Sequence, residues 1–277
     1  MPITTAEFDY IRELVRNRSA IVLDPGKEYL VESRLVPLAR SEGLESIADL
    51  VSELRNGSGA GRLATQVVEA MTTNETSFFR DVHPFEALRS AVLPDLLKKR
   101  SGERALTIWC GAASSGQEPY SIAMTIKEHF PELGGWSIRF LATDLSTEML
   151  EKARAGRYAQ IEANRGLPAH LLVKYFERRG TGWQVKDELR GMVDYRPLNL
   201  IEPWPSLPRC DLVFLRNVLI YFDVETKRAI LEKIRQVLRP DGYLFLGAAE
   251  TTMNIHDGFE RVPIDRAGCY RPRGFGS

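Results

Sequence analysis

Two regions of the chain carry hydrophobic residues at different spacings. From residue 5 to about residue 100, apolar side chains recur every three or four positions, as at Phe8, Ile11 and Val15. That spacing places them on one face of an α-helix. The pattern predicts four or five short helices, and the Gly/Ser-rich stretch RNGSGAG at 55–61 predicts a break between two of them.

Beyond this region the pattern changes to short apolar runs that alternate with helical stretches. The runs predict strands at 106–110, 138–144, 192–198, 211–217 and 242–250, with helices at 118–130, 147–155 and 224–238. Strands that are apolar on both faces and alternate with helices are typical of a mostly parallel sheet covered by helices, a doubly wound α/β fold.

The change of pattern suggests a domain organisation. We expect a helical N-terminal domain at 1–85 and an α/β domain at 86–277. Residues 157–190 interrupt the strand and helix alternation with a helical piece and the stretch RRGTGWQVKDEL, which looks like a hairpin. We therefore expect a small inserted antiparallel β subdomain at about 157–195.

Composition and charge narrow the function classes. Lys plus Arg equals Asp plus Glu, at 37 each, so no global field favours nucleic acid or an anionic membrane. The three cysteines form no CxxC pair and the four histidines are isolated in sequence, so we expect no disulfide framework and no metal site. No signal peptide or membrane span is apparent, and we expect a cytoplasmic protein.

The loop after the first predicted strand is a candidate cofactor site. In WCGAASSGQEP, Gly111 and Gly116 flank small residues that let backbone and ligand approach closely. The second strand ends at Asp144, where a carboxylate can bind both hydroxyls of a ribose. Plain alternatives are a tight turn and a cap for the helix that starts near Thr147. The GxGxxG pattern of dinucleotide sites is absent, which disfavours a dehydrogenase.

Two further stretches carry candidate chemistry. TTNETSFFRD at 72–81 precedes the sheet, and RNVLIYFD at 216–223 closes the fourth strand. As ordinary structure, the first would supply a helix cap, core phenylalanines and a surface charge at Arg80. In the doubly wound order the fourth strand lies beside the first, so we expect Asn217 and Tyr221 to lie over the cofactor loop.

These stretches together resemble the bacterial chemotaxis-receptor glutamate methyltransferases of the CheR type. TTNETSFFRD, CGAASSGQEPYSIAM, ATDLSTEML, the NL pair at 199–200 and RNVLIYF occur in this order behind a helical N-terminal region. The resemblance covers nearly the whole chain. It implies the S-adenosylmethionine-dependent methyltransferase (Rossmann-like) type of sheet.

The resemblance also implies roles for individual residues. The donor would be S-adenosylmethionine, the product S-adenosylhomocysteine, and the acceptors glutamate side chains on cytoplasmic chemoreceptor helices. Arg80 and Tyr221 would lie at the methyl-transfer centre. The cofactor-binding set would be Asn74, Thr76, Arg80, Gly111, Glu118, Asp144, Asn199, Leu200, Arg216 and Asn217.

Two features depart from the family pattern. The receptor-binding helix is often richly basic in that family, whereas KEYLVESRLVPLARSEG offers few cations. Arg34 and Arg40 are the candidates for docking, and Pro37 should kink or end this helix. The predicted hairpin has a short turn, which favours an enzyme that works without tethering to a receptor C-terminal pentapeptide. We expect a monomer.

Other readings remain open on the sequence alone. The same fold hosts amine methyltransferases, which usually carry a proline-containing motif after the fourth strand, and RNVLIYF contains no proline. Neutral charge disfavours a nucleic-acid substrate. A cofactor-binding signalling module without turnover is a third class, and the presence of Arg80 and Tyr221 argues against it.

Overall fold

The computed structural model describes residues 3–274 and divides the chain into two compact units. The first covers the chain up to Thr73 together with Tyr221–Thr226, and the second covers Asn74–Ile220 and the chain from Lys227 onward. The first unit contains the helices α1 (Thr5–Ser19), α2 (Glu28–Ser41), α3 (Ile47–Asn56) and α4 (Ala60–Met71).

The helical unit has a core formed by the predicted apolar faces. Phe8, Ile11 and Val15 of α1 are buried, and they share one cluster with apolar residues of the other three helices. The predicted break is confirmed, because α3 ends at Asn56 and α4 begins at Ala60. The sequence predicts that Pro37 kinks or ends its helix, and the helix does not end there.

The helix α2 continues through Pro37 to Ser41. A proline inside a helix removes one backbone hydrogen bond. The face of the helix opposite Pro37 buries Val31, Leu35 and Ala39. Burial of these apolar side chains compensates for the lost hydrogen bond.

The division between the units falls between Thr73 and Asn74, earlier than the boundary at 85 expected from the sequence. The reason is visible in the aromatic residues of this stretch. Phe78 and Phe85 are buried in the core of the second unit, where Phe78 packs edge-on against Tyr158 with ring centroids 5.1 Å apart. Residues 74–85 therefore belong with the sheet.

The second unit contains the following elements, apart from the first three residues of the last helix, which belong to the first unit. They are α5 (His83–Ala87), a π-helical turn (Leu88–Val92), α6 (Leu93–Lys99), β1 (Ala105–Gly111), α7 (Gln117–His129), β2 (Ser137–Asp144), α8 (Thr147–Ala155), β3 (Arg157–Ala159), α9 (Gln160–Asn164), α10 (Ala169–Tyr175), β4 (Phe176–Arg179), β5 (Gly182–Val185), α11 (Asp187–Arg190), β6 (Asp194–Pro197), β7 (Cys210–Leu215), α12 (Val224–Val237), β8 (Leu238–Leu246), β9 (Phe259–Arg261) and β10 (Gly268–Pro272).

The main sheet has seven strands in the order β6-β2-β1-β7-β8-β10-β9. The five predicted strands are parallel neighbours, and β9 and β10, which the sequence analysis did not predict, add an antiparallel edge. The pairing of β7 with β1 confirms the doubly wound arrangement. It brings the carboxyl ends of β2, β1, β7 and β8 to one edge, where ligands bind in such sheets.

The predicted insertion forms a separate three-stranded antiparallel sheet in the order β3-β5-β4. The predicted hairpin corresponds to β4 and β5, joined by residues 180–181. No helix among the described residues combines the length and the apolar character that a membrane crossing requires.

One strand ends earlier than predicted. The run 242–250 was expected to be extended throughout, but β8 stops at Leu246 and residues 247–250 form a turn. Within this turn the Glu250 amide donates to the carbonyl of Gly247 at 3.0 Å. The turn therefore places the side chain of Glu250 at the carboxyl edge of the sheet.

Candidate functional site

The loop between β1 and α7 has an unusual backbone. Ala112, Ser114 and Gly116 have φ angles of 53°, 49° and 92°, a region that residues other than glycine rarely occupy. A Cβ at Gly116 would lie 2.8 Å from the Cβ of Ala153 and 3.0 Å from the hydroxyl of Tyr195. Glycine is therefore required there both by conformation and by space.

Asp144 holds this loop at the carboxyl end of β2. Its Oδ2 accepts a hydrogen bond from the Ser114 amide at 2.7 Å, and its Oδ1 accepts from the Ser146 amide at 2.9 Å. The cap of α8 is Ser146, whose hydroxyl accepts from the Met149 amide at 3.3 Å. Asp144 is therefore not the helix cap, and its carboxylate links the β1 loop to the β2 turn.

A buried arginine joins several of the predicted residues. The Arg216 guanidinium, with 1% of its side chain exposed, pairs with the Glu118 carboxylate and, at 2.7 Å, with that of Asp81. It also donates to the Arg80 carbonyl at 2.9 Å. The Cys110 thiol donates to Glu118 at 3.4 Å, and burial, followed by the charge of Glu118, raises the pKa of this thiol well above its ordinary value.

The residues before α5 contact the loop between β1 and α7 and the helix α7 itself. The Ser114 hydroxyl donates to the Asn74 carbonyl at 2.9 Å, and the Phe79 amide donates to the Ser121 hydroxyl at 2.9 Å. The half-buried Arg80 directs its guanidinium to the Glu75 carbonyl at 2.8 Å. These contacts bring the predicted first motif and the β1 loop together within the second unit.

The backbone of the first motif is strained near its end. Phe79, Asp81 and Val82 have φ angles of 48°, 68° and 44°. Such angles cost free energy in residues other than glycine and persist where surrounding contacts over-determine them. The two bonds from Arg216 to Asp81 and to the Arg80 carbonyl are contacts of that kind. Thr76 lies in the same segment and is half-buried.

The loop after β6 contains the predicted residues Asn199 and Leu200. The Asn199 amide nitrogen donates to Glu202 at 3.1 Å, and Leu200 is buried. Lys233 of α12 donates to the carbonyls of residues 200–202 at 3.0, 3.0 and 2.7 Å. Its ammonium lies 5.3 Å from the ring centroid of Trp204. Burial lowers the pKa of Lys233.

The segment after β7 lies at the carboxyl edge of the main sheet. Asn217 follows Arg216 with a φ of 58°, and its amide donates to the Glu250 carboxylate at 2.8 Å. Gly111 ends β1 beside β7, where a Cβ would lie 2.7 Å from Leu215 Cδ1. Within the second unit, the predicted residues of the cofactor set thus lie at neighbouring strand ends and on the segments that contact them.

Three charged residues of this edge are not indicated by the sequence pattern. Asp81 binds Arg216, Lys233 binds the loop after β6, and Glu250 binds the segment after β7. The position of Glu250, four residues after the end of β8, follows the strand-end rule that identified Asp144. A strand predicted to end at Leu246 would have indicated Glu250 as a residue near the strand end, but not the distant amides that it binds.

The helical unit holds the remaining predicted residues. The Tyr221 carbonyl accepts from the Val22 amide at 3.2 Å. The Arg34 guanidinium binds the end of α4, donating to the carbonyls of Met71 and Thr72 at 2.8 and 2.7 Å. Burial lowers the pKa of Arg34. Arg40, in contrast, is exposed.

The histidines are less isolated than the sequence suggested. His83 Nδ1 lies 2.9 Å from an Asp265 oxygen and 3.7 Å from a Glu86 oxygen. More than half of each carboxylate side chain is exposed to solvent, and the three groups lie together at the surface. His256 pairs with Glu232 at 2.8 Å.

Comparison with known proteins identifies relatives over the whole chain. Residues 6–72 match the family described as CheR methyltransferase, all-alpha domain, and residues 74–267 match CheR methyltransferase, SAM binding domain. Chemotaxis protein methyltransferase 1 of Pseudomonas aeruginosa is 44% identical over 277 residues, covering 99% of this chain and 100% of the relative. The Escherichia coli chemotaxis protein methyltransferase is 38% identical over 266 residues, covering 94% and 89%.

Proposed function

We propose, because the chain belongs to the CheR methyltransferase family, that it methylates glutamate side chains on cytoplasmic helices of chemoreceptors. The methyl donor is S-adenosylmethionine, in line with the SAM binding domain that the chain carries. The products would be γ-glutamyl methyl esters and S-adenosylhomocysteine. The structural observation that carries the proposal is the ion-pair cluster of Arg216 with Glu118 and Asp81, in the same unit whose β2 ends at Asp144.

The residues present fit this cofactor. The β1 loop consists of small residues from Gly111 to Gly116, and the Asp144 carboxylate lies at the carboxyl end of β2, the place where ribose hydroxyls are bound in such folds. The loop after β6, with Asn199 and Leu200, would lie beside the adenine. Glu118, in the first turn of α7, would meet the amino acid portion.

The charge of the buried cluster favours a cationic ligand. Arg216 contributes one positive charge, whereas Glu118 and Asp81 contribute two negative charges. The three groups thus carry a net charge of minus one, in a partly buried place where charge interactions are strong. An ammonium group or a sulfonium would be stabilised there.

The reaction needs little proton chemistry from the protein. When bound, S-adenosylmethionine supplies a methyl group attached to a positively charged sulfur. A glutamate side chain, with an ordinary pKa of about 4.3, arrives ionised at neutral pH and needs no general base. Positioning and exclusion of water by the chain's own residues can contribute as much as about 7 to 11 kcal/mol.

Arg80 and Tyr221 are proposed to aim the glutamate carboxylate. Replacement Arg80→Ala should lower the single-turnover rate at saturating cofactor by about a hundredfold, whereas Tyr221→Phe should lower it by a few fold. The exposed Arg89 offers a matched control, since Arg89→Ala removes the same charge at a residue outside the proposed site. An Arg80→Ala enzyme with the wild-type rate would rule out its assignment.

Two surface features bear on how the protein would bind its receptor. Arg40, which is exposed, is the better candidate for receptor docking, because Arg34 is engaged by the carbonyls at the end of α4. The two residues 180–181 make a short hairpin turn, which favours action without a receptor pentapeptide. We propose a cytoplasmic monomer whose receptor substrates need no such tail.

The experiment that tests the proposal uses labelled S-adenosylmethionine and receptor cytoplasmic fragments, with and without their C-terminal tails. After incubation the receptor is treated with alkali. Release of volatile labelled methanol supports carboxyl esters, whereas base-stable label would support methylation of an amine. Equal labelling of both fragments supports tail-independent action.

A further inference from the structure

We propose that Glu250 is a positioning residue for methyl transfer. Its carboxylate would hold the segment after β7, which carries Asn217 of the proposed cofactor site and leads into Tyr221. The proposal rests on the proposed function. It adds a residue from the turn after β8, which neither the sequence motifs nor the resemblance assign to the reaction.

The carboxylate of Glu250 binds four backbone amides. One oxygen accepts from the amides of Asn217 and Gly247 at 2.8 and 2.6 Å. The other accepts from those of Val218 and Ile220 at 2.9 and 3.3 Å. Three of the four donors belong to the segment after β7, and Glu250 is buried, with 8% exposed.

The sheet topology creates this arrangement. Because β7 and β8 are parallel neighbours with Leu215 opposite Leu246, both strands end at the same level. The turn that follows β8 then directs the Glu250 side chain toward the neighbouring segment. A Cβ at Gly247 would lie 2.7 Å from a Glu250 oxygen, 2.7 Å from Asn217 Nδ2 and 2.9 Å from the Asn217 backbone nitrogen. Only glycine leaves room for the carboxylate.

A carboxylate is the side chain suited to this role. It accepts hydrogen bonds at both oxygens and donates none, and bonds to a charged acceptor are stronger than neutral ones. Asn217 has a φ of 58°, a costly conformation that needs such support. Glutamine has a similar shape, but its NH2 group would face two backbone N–H donors and leave them unpaired.

The carboxylate of Glu250 fixes the position of the backbone between Asn217 and Tyr221. Asn217 and Ile220 are held by the same carboxylate, and the next residue in the chain is Tyr221. Glu250 therefore sets the path of the backbone between a proposed cofactor contact and a proposed carboxylate contact. A small change in this path alters alignment, to which methyl transfer is sensitive.

The test compares Glu250→Gln with Glu132→Gln, the same chemical change at an exposed residue before β2. Single-turnover rates are measured at saturating cofactor and normalised to the fraction of protein that binds S-adenosylhomocysteine. We expect Glu250→Gln to lower the rate by about tenfold or more while KM for the receptor fragment changes by less than about threefold. Glu132→Gln should match the wild type.

Hydrogen exchange supplies a readout that does not depend on activity. In the wild type, the amides of Asn217, Val218 and Ile220 should be protected, and Glu250→Gln should release them while the amides of β7 stay protected. Gly247→Ala perturbs the same cluster from the opposite side and should give the same kinetic and exchange signature. Unprotected amides in the folded wild type would overturn the proposal, even if Glu250→Gln fails to fold.

The remaining outcomes separate this inference from the proposed function. A Glu250→Gln enzyme with the wild-type rate would overturn the role of Glu250 while leaving ester formation intact. If the wild type forms no alkali-labile methanol, the proposed function fails. The role in methyl transfer to glutamate would then be overturned with it, and the exchange data would test the backbone contacts alone.

Discussion

The buried guanidinium of Arg216 allows a quantitative test of how the strand-end cluster is held together. We consider Arg216→Met, which keeps an apolar stem of similar length and removes the charge. Glu118, with 12% of its side chain exposed, would be left without its cation, whereas Asp81, with 39% exposed, could be hydrated. The change therefore leaves one buried charge unpaired, that of Glu118, rather than two.

The expected cost follows from that burial. Removing one partner of a buried ion pair costs about 3 to 5 kcal/mol, and the exposure of Asp81 favours the lower end. For a unit of this size, about 3 kcal/mol corresponds to a fall of about 6 to 12 °C in the melting temperature. The double variant Arg216→Met with Glu118→Gln leaves no unpaired buried charge and should recover part of this loss.

The assay is thermal unfolding followed by tryptophan fluorescence. All four tryptophans of the chain lie between residues 109 and 204, so their signal reports on the sheet unit. Measurements without cofactor avoid stabilisation by binding. If the double variant melts lower than Arg216→Met by the full cost of Glu118→Gln alone, the two side chains are not coupled and the reasoning is refuted.

Three further expectations concern other parts of the second unit. Asp144→Asn should weaken S-adenosylhomocysteine binding by about 10 to 100-fold in calorimetry, because an amide cannot accept at both positions where the carboxylate does. Lys233→Met should weaken the same binding by about tenfold, because it frees three carbonyl groups of the loop after β6. Burial raises the pKa of Cys210 and of Cys269 to about 12 each and that of Cys110 well above its ordinary value, so the thiolate forms appear only at strongly alkaline pH. Alkylation at pH 8 followed by mass spectrometry should therefore leave all three thiols unmodified in the folded protein.

Controls and contrary results are available for each of these. The exposed residues Asp257 and Lys98 allow matched changes to Asn and Met, which should leave cofactor affinity unaltered. Wild-type affinity in Asp144→Asn or in Lys233→Met would contradict the corresponding contact. Urea-unfolded protein should be fully alkylated, whereas rapid alkylation of Cys110 in the folded protein would contradict its burial.

Hydrophobic spacing predicted the elements that surround the site. The runs around β1, β2 and β7 were recognised because parallel strands buried on both faces are continuously apolar. Asp144 could be placed because it directly follows such a run. Small residues around Gly116 likewise indicated a close backbone approach, and the positive φ of this glycine agrees with that inference.

The parts that the sequence did not predict depend on long-range contacts. The sequence makes Arg34 a candidate for docking, but its partners lie at and just after the end of α4, 36 to 39 residues away. The run GYLFLGAAE is apolar almost to its end and therefore predicts a strand through Glu250, and three of the four amides that its carboxylate binds lie 30 to 33 residues earlier. No local pattern encodes such pairings.

The inserted three-stranded subdomain has a consequence for protein engineering. The Tyr158 hydroxyl of β3 donates to the Ser115 carbonyl at 2.7 Å, and Arg165 pairs with Glu75. A Cβ at Gly166 would lie 2.1 Å from the Phe78 carbonyl oxygen. A chimera could exchange this subdomain for one from another enzyme in order to change substrate choice. Such a chimera must retain the tyrosine and the glycine, or we expect it to lose activity.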